Sequence, residues 1–202
     1  IQRSAGSGFS PAQFGDHVIE SQVQHSTALH ATLDGNRYLT GPLARYSLNS
    51  TALSPIAREA AARADLGSQC RNPFRSIVVR AVEVVYAIEE ALRIIDEYER
   101  PRTPFVAVPA RAATGHGVSE APRGLLYHRY EIGADGLITA ATIVPPTSQN
   151  QAAIEYEMAA LVSENMSLDD ETLTVLCEKS IRNHDPCISC AAHFLTLTVA
   201  RG

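Results

Sequence analysis

The chain has 202 residues, 45% of them hydrophobic, and 17 Lys and Arg against 22 Asp and Glu give a formal net charge of −5. That length suits one domain with a real core, and the mild, dispersed charge argues against nucleic acid, whose phosphates demand a concentrated basic surface. No window approaches the ~18 uninterrupted apolar residues of a membrane helix, no charged-then-apolar leader is visible, and cysteines at 70, 177, 187 and 190 are too few and uneven for a disulfide scaffold, so a reducing, cytoplasmic setting is expected.

In chain order, residues 28–41 read as a short hairpin, Ala28 to Leu33 and Arg37 to Thr40 about a turn at Asp34-Gly35. Gly41-Pro42-Leu43-Ala44-Arg45-Tyr46 reads as a loop leading into helix, and the Ala- and Arg-rich residues 51–68 as a helix ending near Gly67. The clearest element runs from Asn72 to about Tyr98. Asn72 supplies an N-cap, Pro73 suits the first turn, and Ile77, Val78, Ala81, Val84, Val85, Ile88, Leu92 and Ile95 recur at helical spacing. The stripe is broad, which predicts burial on most sides, as in a bundle, with Pro101 and Pro104 as stops.

Residues 105–124 read as an irregular run, with Gly115 and Gly117 in a turn. A second hairpin follows, Leu125 to Ile132 and Leu137 to Val144 about Asp135-Gly136, ended by Pro145-Pro146. Two more helices are expected, Gln151 to about Asn165 and Asp170 to about Arg182, the latter capped from Ser167-Leu168-Asp169-Asp170. The predicted class is helix-dominated α+β, a buried helical bundle with small antiparallel hairpins.

The chemistry gathers near the end, in Asp185-Pro186-Cys187-Ile188-Ser189-Cys190-Ala191-Ala192-His193. Two thiols three residues apart converge on one metal, and a His three further on can serve the same ion or a neighbour. A Cys-x-x-Cys pair alone serves zinc sites, redox dithiols and iron–sulfur clusters alike. With its flanking Asp-Pro and His, the string closely resembles the C-terminal signature of the large, catalytic subunit of NiFe hydrogenases. Glu120-Ala121-Pro122-Arg123-Gly124 resembles an internal signature of that subunit, and Val144-Pro145-Pro146-Thr147-Ser148-Gln149-Asn150 resembles its Val-Pro-x-Thr-x-x-Asn-like segment. The blocks Gly41 to Arg45 and Arg71-Asn72-Pro73-Phe74-Arg75-Ser76-Ile77 look like the soluble, cytoplasmic branch that couples hydrogen to NAD(P) or a deazaflavin. The resemblance runs from about residue 20 to His193.

The resemblance implies a C-terminal portion of that subunit fold and reversible heterolysis of H2. Cys187 would be a terminal nickel thiolate and first proton acceptor, and Cys190 a thiolate bridging nickel and iron. The iron would carry carbon monoxide and cyanide. Arg123 would hang over the open face of the metal pair, oriented by Asp185, with Pro122 setting its loop. Thr147 or Ser148 would donate to a cyanide, and His193 would bind magnesium or a similar ion. Implied partners are an iron–sulfur small subunit, NAD(P)- or flavin-binding electron-transfer subunits, a maturation protease and nickel-insertion factors.

The family's N-terminal Arg-x-Cys-Gly-x-Cys signature, which supplies two more thiolates, is absent, and the chain opens on Ile1. The expectation is therefore a single incomplete domain over residues 1–202, with 194–202 either a maturation tail or an edge strand. Taken alone, Cys70 and Cys177 read as buried inert thiols, His116 and His128 as loop or strand residues, and His184 as locally packed. Glu89, Glu90, Arg93, Asp96 and Glu97 read as a solvated helix end. The competing function is a non-catalytic nickel- or zinc-binding or assembly protein derived from such a subunit, using Cys187, Cys190 and His193.

Overall fold

The computed structural model describes residues 1–4, 6–187 and 198. A first helical turn, α1 (Phe14–His17), runs into β1 (Val18–Ser21), which pairs antiparallel with β2 (His30–Leu33), Val18 opposite Leu33 and Ser21 opposite His30. Three helices follow: α2 (Pro42–Asn49), α3 (Pro55–Arg63) and α4 (Ser76–Asp96). A meander of β3 (Ala113–Ala121), β4 (Gly124–Ile132) and β5 (Ile138–Val144) leads to α5 (Pro146–Glu164) and α6 (Asp170–His184). Among the described residues, no helix is long and apolar enough to cross a membrane. The α+β class, rich in helix, is as expected.

Two cores hold these elements. One is helical, with Tyr46, Ala57, Ala61, Leu66, Val79 and Val82 packed where α2 and α3 meet the first half of α4. The other joins the N-terminal segment to the sheets through Phe9, Phe14, Val18, Ala31, Tyr127 and Val144. There the Phe14 and Tyr127 rings stack with centroids 4.0 Å apart and 10° between planes, an aromatic pair that adds to the area it buries.

Several boundaries differ from the sequence reading, each for a local reason. The Asp34-Gly35 turn forms, with both residues at positive φ, but Arg37 to Thr40 does not return as a strand. The Arg37 guanidinium lies 3.8 Å from the centre of the Tyr156 ring and the Thr40 amide donates to Asn150, so this segment is drawn to α5 and β2 pairs with β1 instead. The segment after Gly41 is already helix, because Pro42 occupies a first-turn position where no amide is needed. Pro55 and Pro146 open α3 and α5 in the same way, so α3 spans only Pro55–Arg63 and α5 begins five residues before Gln151.

Asn72 caps a 3-10 turn, Pro73–Arg75, through the Phe74 amide, and α4 continues from it as expected, ending at Asp96 before either proline. The predicted all-round burial of α4 is not met by the described residues. Only Ser76, Val79 and Val82 are buried, while Ile77, Val84, Ile88, Leu92 and Ile95 are exposed, since α2 and α3 cover one side of its first half. Nor is Glu89 merely solvated: its carboxylate accepts from the Ser54 hydroxyl at 2.5 Å and the Ala57 amide at 3.0 Å, capping α3 from a neighbouring helix. Of the run at 105–124, residues 105–112 are irregular as expected, while 113–121, including Gly115 and Gly117, form strand β3. Its residues are exposed on both faces, so no alternation marked it, and pairing with β4 makes it a strand.

Phe14→Ala should remove the stacked partner of Tyr127 and open the sheet core. A loss of about 3 kcal/mol is expected, read as a lower urea midpoint at an unchanged slope.

Candidate metal centre

Arg123 sits on a two-residue turn, Pro122-Arg123, closing β3 onto β4 with Ala121 opposite Gly124. The segment Thr40-Gly41 presses against this turn. A Cβ on Gly41 would lie 2.6 Å from the Arg123 carbonyl oxygen, and one on Gly124 would lie 2.1 Å from the Thr40 hydroxyl oxygen. Both glycines also have positive φ, at 100° and 142°. Close backbone approach is the reason these two positions are glycine.

Polar clamps hold the turn from three sides. Arg45, on α2, donates from Nε and Nη2 to the Glu83 carboxylate at 2.7 and 3.0 Å. Its Nη1 reaches Glu120 at 2.9 Å and the Ala121 carbonyl at 2.7 Å, and Nη2 also reaches the Pro122 carbonyl at 2.8 Å. Burial works to lower the Arg45 pKa, but hydrogen bonds and charge from Glu83 and Glu120 outweigh it and raise the value. Asn150 accepts from the Thr40 amide at 2.8 Å and donates to the Arg123 carbonyl at 3.2 Å. The buried Gln149 donates to the carbonyls of Leu125, Val144 and Pro145, tying the start of α5 to both neighbouring strands.

The opposite wall is the end of α6. Asp185 caps that helix in the left-handed conformation at φ 50°, turning the chain sharply into Pro186-Cys187. Arg123 Nε donates to the Asp185 carbonyl at 2.9 Å and lies 3.4 Å from its carboxylate, which is also 3.3 Å from Arg80 Nη1. Asp185 is thus shared by two guanidinium groups. Arg123, Thr147, Asp185, Pro186 and Cys187 line one cleft of about 20 Å³, together with Asn150 and His184, room for about one water.

The predicted residues divide as follows. Arg123, Thr147, Asp185 and Cys187 are brought together, and Pro122 forms the turn beside them. Ser148 is buried, and its hydroxyl donates back to the Pro145 carbonyl at 3.2 Å, so Thr147 is the hydroxyl at the cleft. Cys190, His193 and the tail 194–202, apart from residue 198, lie outside the described residues. Cys70 is buried in the helical core and Cys177 within α6, where desolvation raises its thiol pKa. His184 is buried with Nε2 3.1 Å from Glu157, in a contact not aligned as a hydrogen bond.

The donor set fits one side of a thiolate-bound metal centre: a sulfur at Cys187, a fixed cation facing the same cleft, and a hydroxyl at the start of a helix. Neither Cys70 nor Cys177 lines the cleft, so the two further sulfurs of a four-thiolate cage have no source among the described residues. Arg45 and Asn150 stand inside the sequence motifs, yet only their contacts show what they do. Arg80 carried no sequence signal.

The chain is similar to known proteins over most of its length. Residues 24–193 match the family model described as nickel-dependent hydrogenase. Sulfhydrogenase 1 subunit alpha of Pyrococcus furiosus is 32% identical over 200 residues, which is 98% of this chain and 46% of that protein. NAD-reducing hydrogenase HoxS subunit beta of Cupriavidus necator is 30% identical over 164 residues, 77% of this chain and 34% of that protein. The crystal structure of an NAD+-reducing NiFe hydrogenase in the H2-reduced state superposes with a TM-score of 0.78 at 26% identity, covering 92% of this chain and 43% of that one. The chain therefore spans less than half the length of these relatives.

Arg45→Met should leave the Glu83 carboxylate without its cation and the hairpin tip without two donors. A loss of about 2 kcal/mol is expected, of which Glu83→Gln in the same chain restores a part, a coupling that a double-mutant cycle measures.

Proposed function

The chain belongs to the nickel-dependent hydrogenase family, and from that membership we propose that it forms the C-terminal part of a catalytic large subunit for reversible H2 heterolysis. The observation carrying this reading is the single cleft lined by Arg123, Thr147, Asp185 and Cys187, contributed by three separated motifs. The family implies nickel and iron; with its carbon monoxide and cyanide ligands, that pair supplies the cleavage of H2 to protons and electrons.

The chain's own residues do the rest. Cys187 Sγ would hold nickel as a thiolate and take up the departing proton, since metal binding depresses a thiol's pKa while leaving the sulfur basic enough to be protonated transiently. Cys190 would supply a second sulfur to the metal pair. Asp185 occupies Arg123 Nε, which leaves the terminal nitrogens of the guanidinium to donate into the cleft. A guanidinium suits this task because it stays charged at ordinary pH and its planar fork holds direction. Thr147 adds its hydroxyl beside the first-turn amides of α5, which have no intrahelical acceptor. Pro122 fixes the turn, and His193 takes a magnesium or similar ion.

The two missing thiolates would come from further subunit chain, and the exposed apolar residues of α4 offer it a surface. The completed subunit would work in the cytoplasm, passing electrons through an iron–sulfur small subunit to an NAD(P)- or flavin-binding partner. NAD reduction in the name of one relative supports that choice. A maturation protease and nickel-insertion factors would act on the C-terminal segment.

In the full-length subunit with its partners, Arg123→Lys should lower H2 oxidation about 100-fold at unchanged nickel per chain. Cys187→Ser should lose both nickel and activity. A nickel-loaded wild-type complex without H2 turnover would instead favour the binding or assembly protein.

A further inference from the structure

A second group of ligand-type side chains lies away from the cleft. His25, in the loop between β1 and β2, His30, the first residue of β2, and Glu155, in the middle of α5, each direct a donor atom to one point. The chosen atoms all lie within 4.8 Å of one another. His25 Nε2 is 2.8 Å from Glu155 Oε2, and His30 Nε2 is 3.1 Å from Oε1.

We propose that His25, His30 and Glu155 form a binding site for a divalent cation of the zinc type, with water completing the coordination. Two imidazoles and one carboxylate are the ligands that zinc accepts at ~2.0–2.2 Å in a tetrahedron. Both histidines present the same nitrogen, Nε2, so both can bind once the ring proton resides on Nδ1. The ion then replaces the two nitrogen–carboxylate contacts.

The arrangement has the parts of a built site. His30 is held on a strand with its side chain only 13% exposed, and Glu155 is held on a helix. Gln151, one turn earlier, donates to Glu155 Oε1 at 2.9 Å and so fixes the carboxylate from behind, as outer partners of metal ligands do. His25 is 67% exposed on its loop and has freedom to close over the ion. The rings of the two histidines meet edge to face, 5.6 Å between centroids, which keeps both nitrogens on one side.

Position gives the site a consequence. It fastens the β1–β2 hairpin to α5, the helix whose first turns carry Thr147, Gln149 and Asn150. An ion there would stiffen the platform of the first centre, with Gln151, which also lines the cleft, between the two. The proposal does not depend on hydrogenase activity.

The test is zinc binding by the full-length protein carrying Cys187→Ser and Cys190→Ser, so that these two thiolates do not contribute. Competition with a chromophoric zinc chelator should show one tight site per chain, and zinc should raise the melting temperature. Gln151→Ala should weaken binding about tenfold, and His25→Ala and Glu155→Gln should abolish both the binding and the thermal shift. His25 lies on an exposed loop, so its variant keeps the fold, which circular dichroism verifies. Zinc binding that is unchanged in His25→Ala, or absent from the parent carrying the two serines, overturns the proposal.

Discussion

The arrangement of the whole site depends on one partly buried cation. Arg45 spends all five of its N–H donors on Glu83, Glu120 and two backbone carbonyls at the tip of the β3–β4 hairpin. A guanidinium is the only side chain with that many donors in a rigid plane, so lysine cannot reproduce the set. The contact links the helical core, through α2 and α4, to the sheet that carries Arg123. Without it the tip would keep its ladder and its contacts to Asn150 and Asp185 but lose its tie to α2 and α4.

The glycines and amides around the tip act in the same direction. Gly41 and Gly124 let two backbones touch where any side chain would collide, and Asn150 hydrogen-bonds to both sides of that contact. The stretch ending in Arg45, the one containing Arg123 and the one ending in Asn150 thus form a single joint. On the other wall, Asp185 in its left-handed cap meets Arg123 and Arg80 together. A fixed charge pays no reorganisation cost when a developing charge meets it, which makes such bracing a requirement of the chemistry proposed for the cleft.

Much of this was legible in the amino-acid string, and the illegible parts share a cause. Asn72-Pro73 marked a helix start, Asp135-Gly136 marked a hairpin turn, and Asp169 marked the cap of α6, because each acts within a few residues of itself. The motifs around Arg123, Thr147 and Cys187 could be picked out as chemistry, and their meeting in one cleft was implied by the family resemblance, though by no local pattern. Strand β3 stayed hidden because its faces are both exposed, so neither core nor solvent imposes alternation. The pairing of β1 with β2, the capping of α3 by Glu89, and the approach of Glu155 to His25 and His30 are long-range events. Nothing local distinguishes such residues from ordinary surface polar groups.

The most direct test of the central claim is a crystal structure of the nickel-loaded full-length protein with anomalous data collected at the nickel edge. The account predicts a nickel peak bonded to Cys187 Sγ, with the Arg123 guanidinium facing it across the cleft and still joined to Asp185. A nickel peak remote from Cys187, or an Arg123 side chain turned out to solvent with nickel in place, would contradict it.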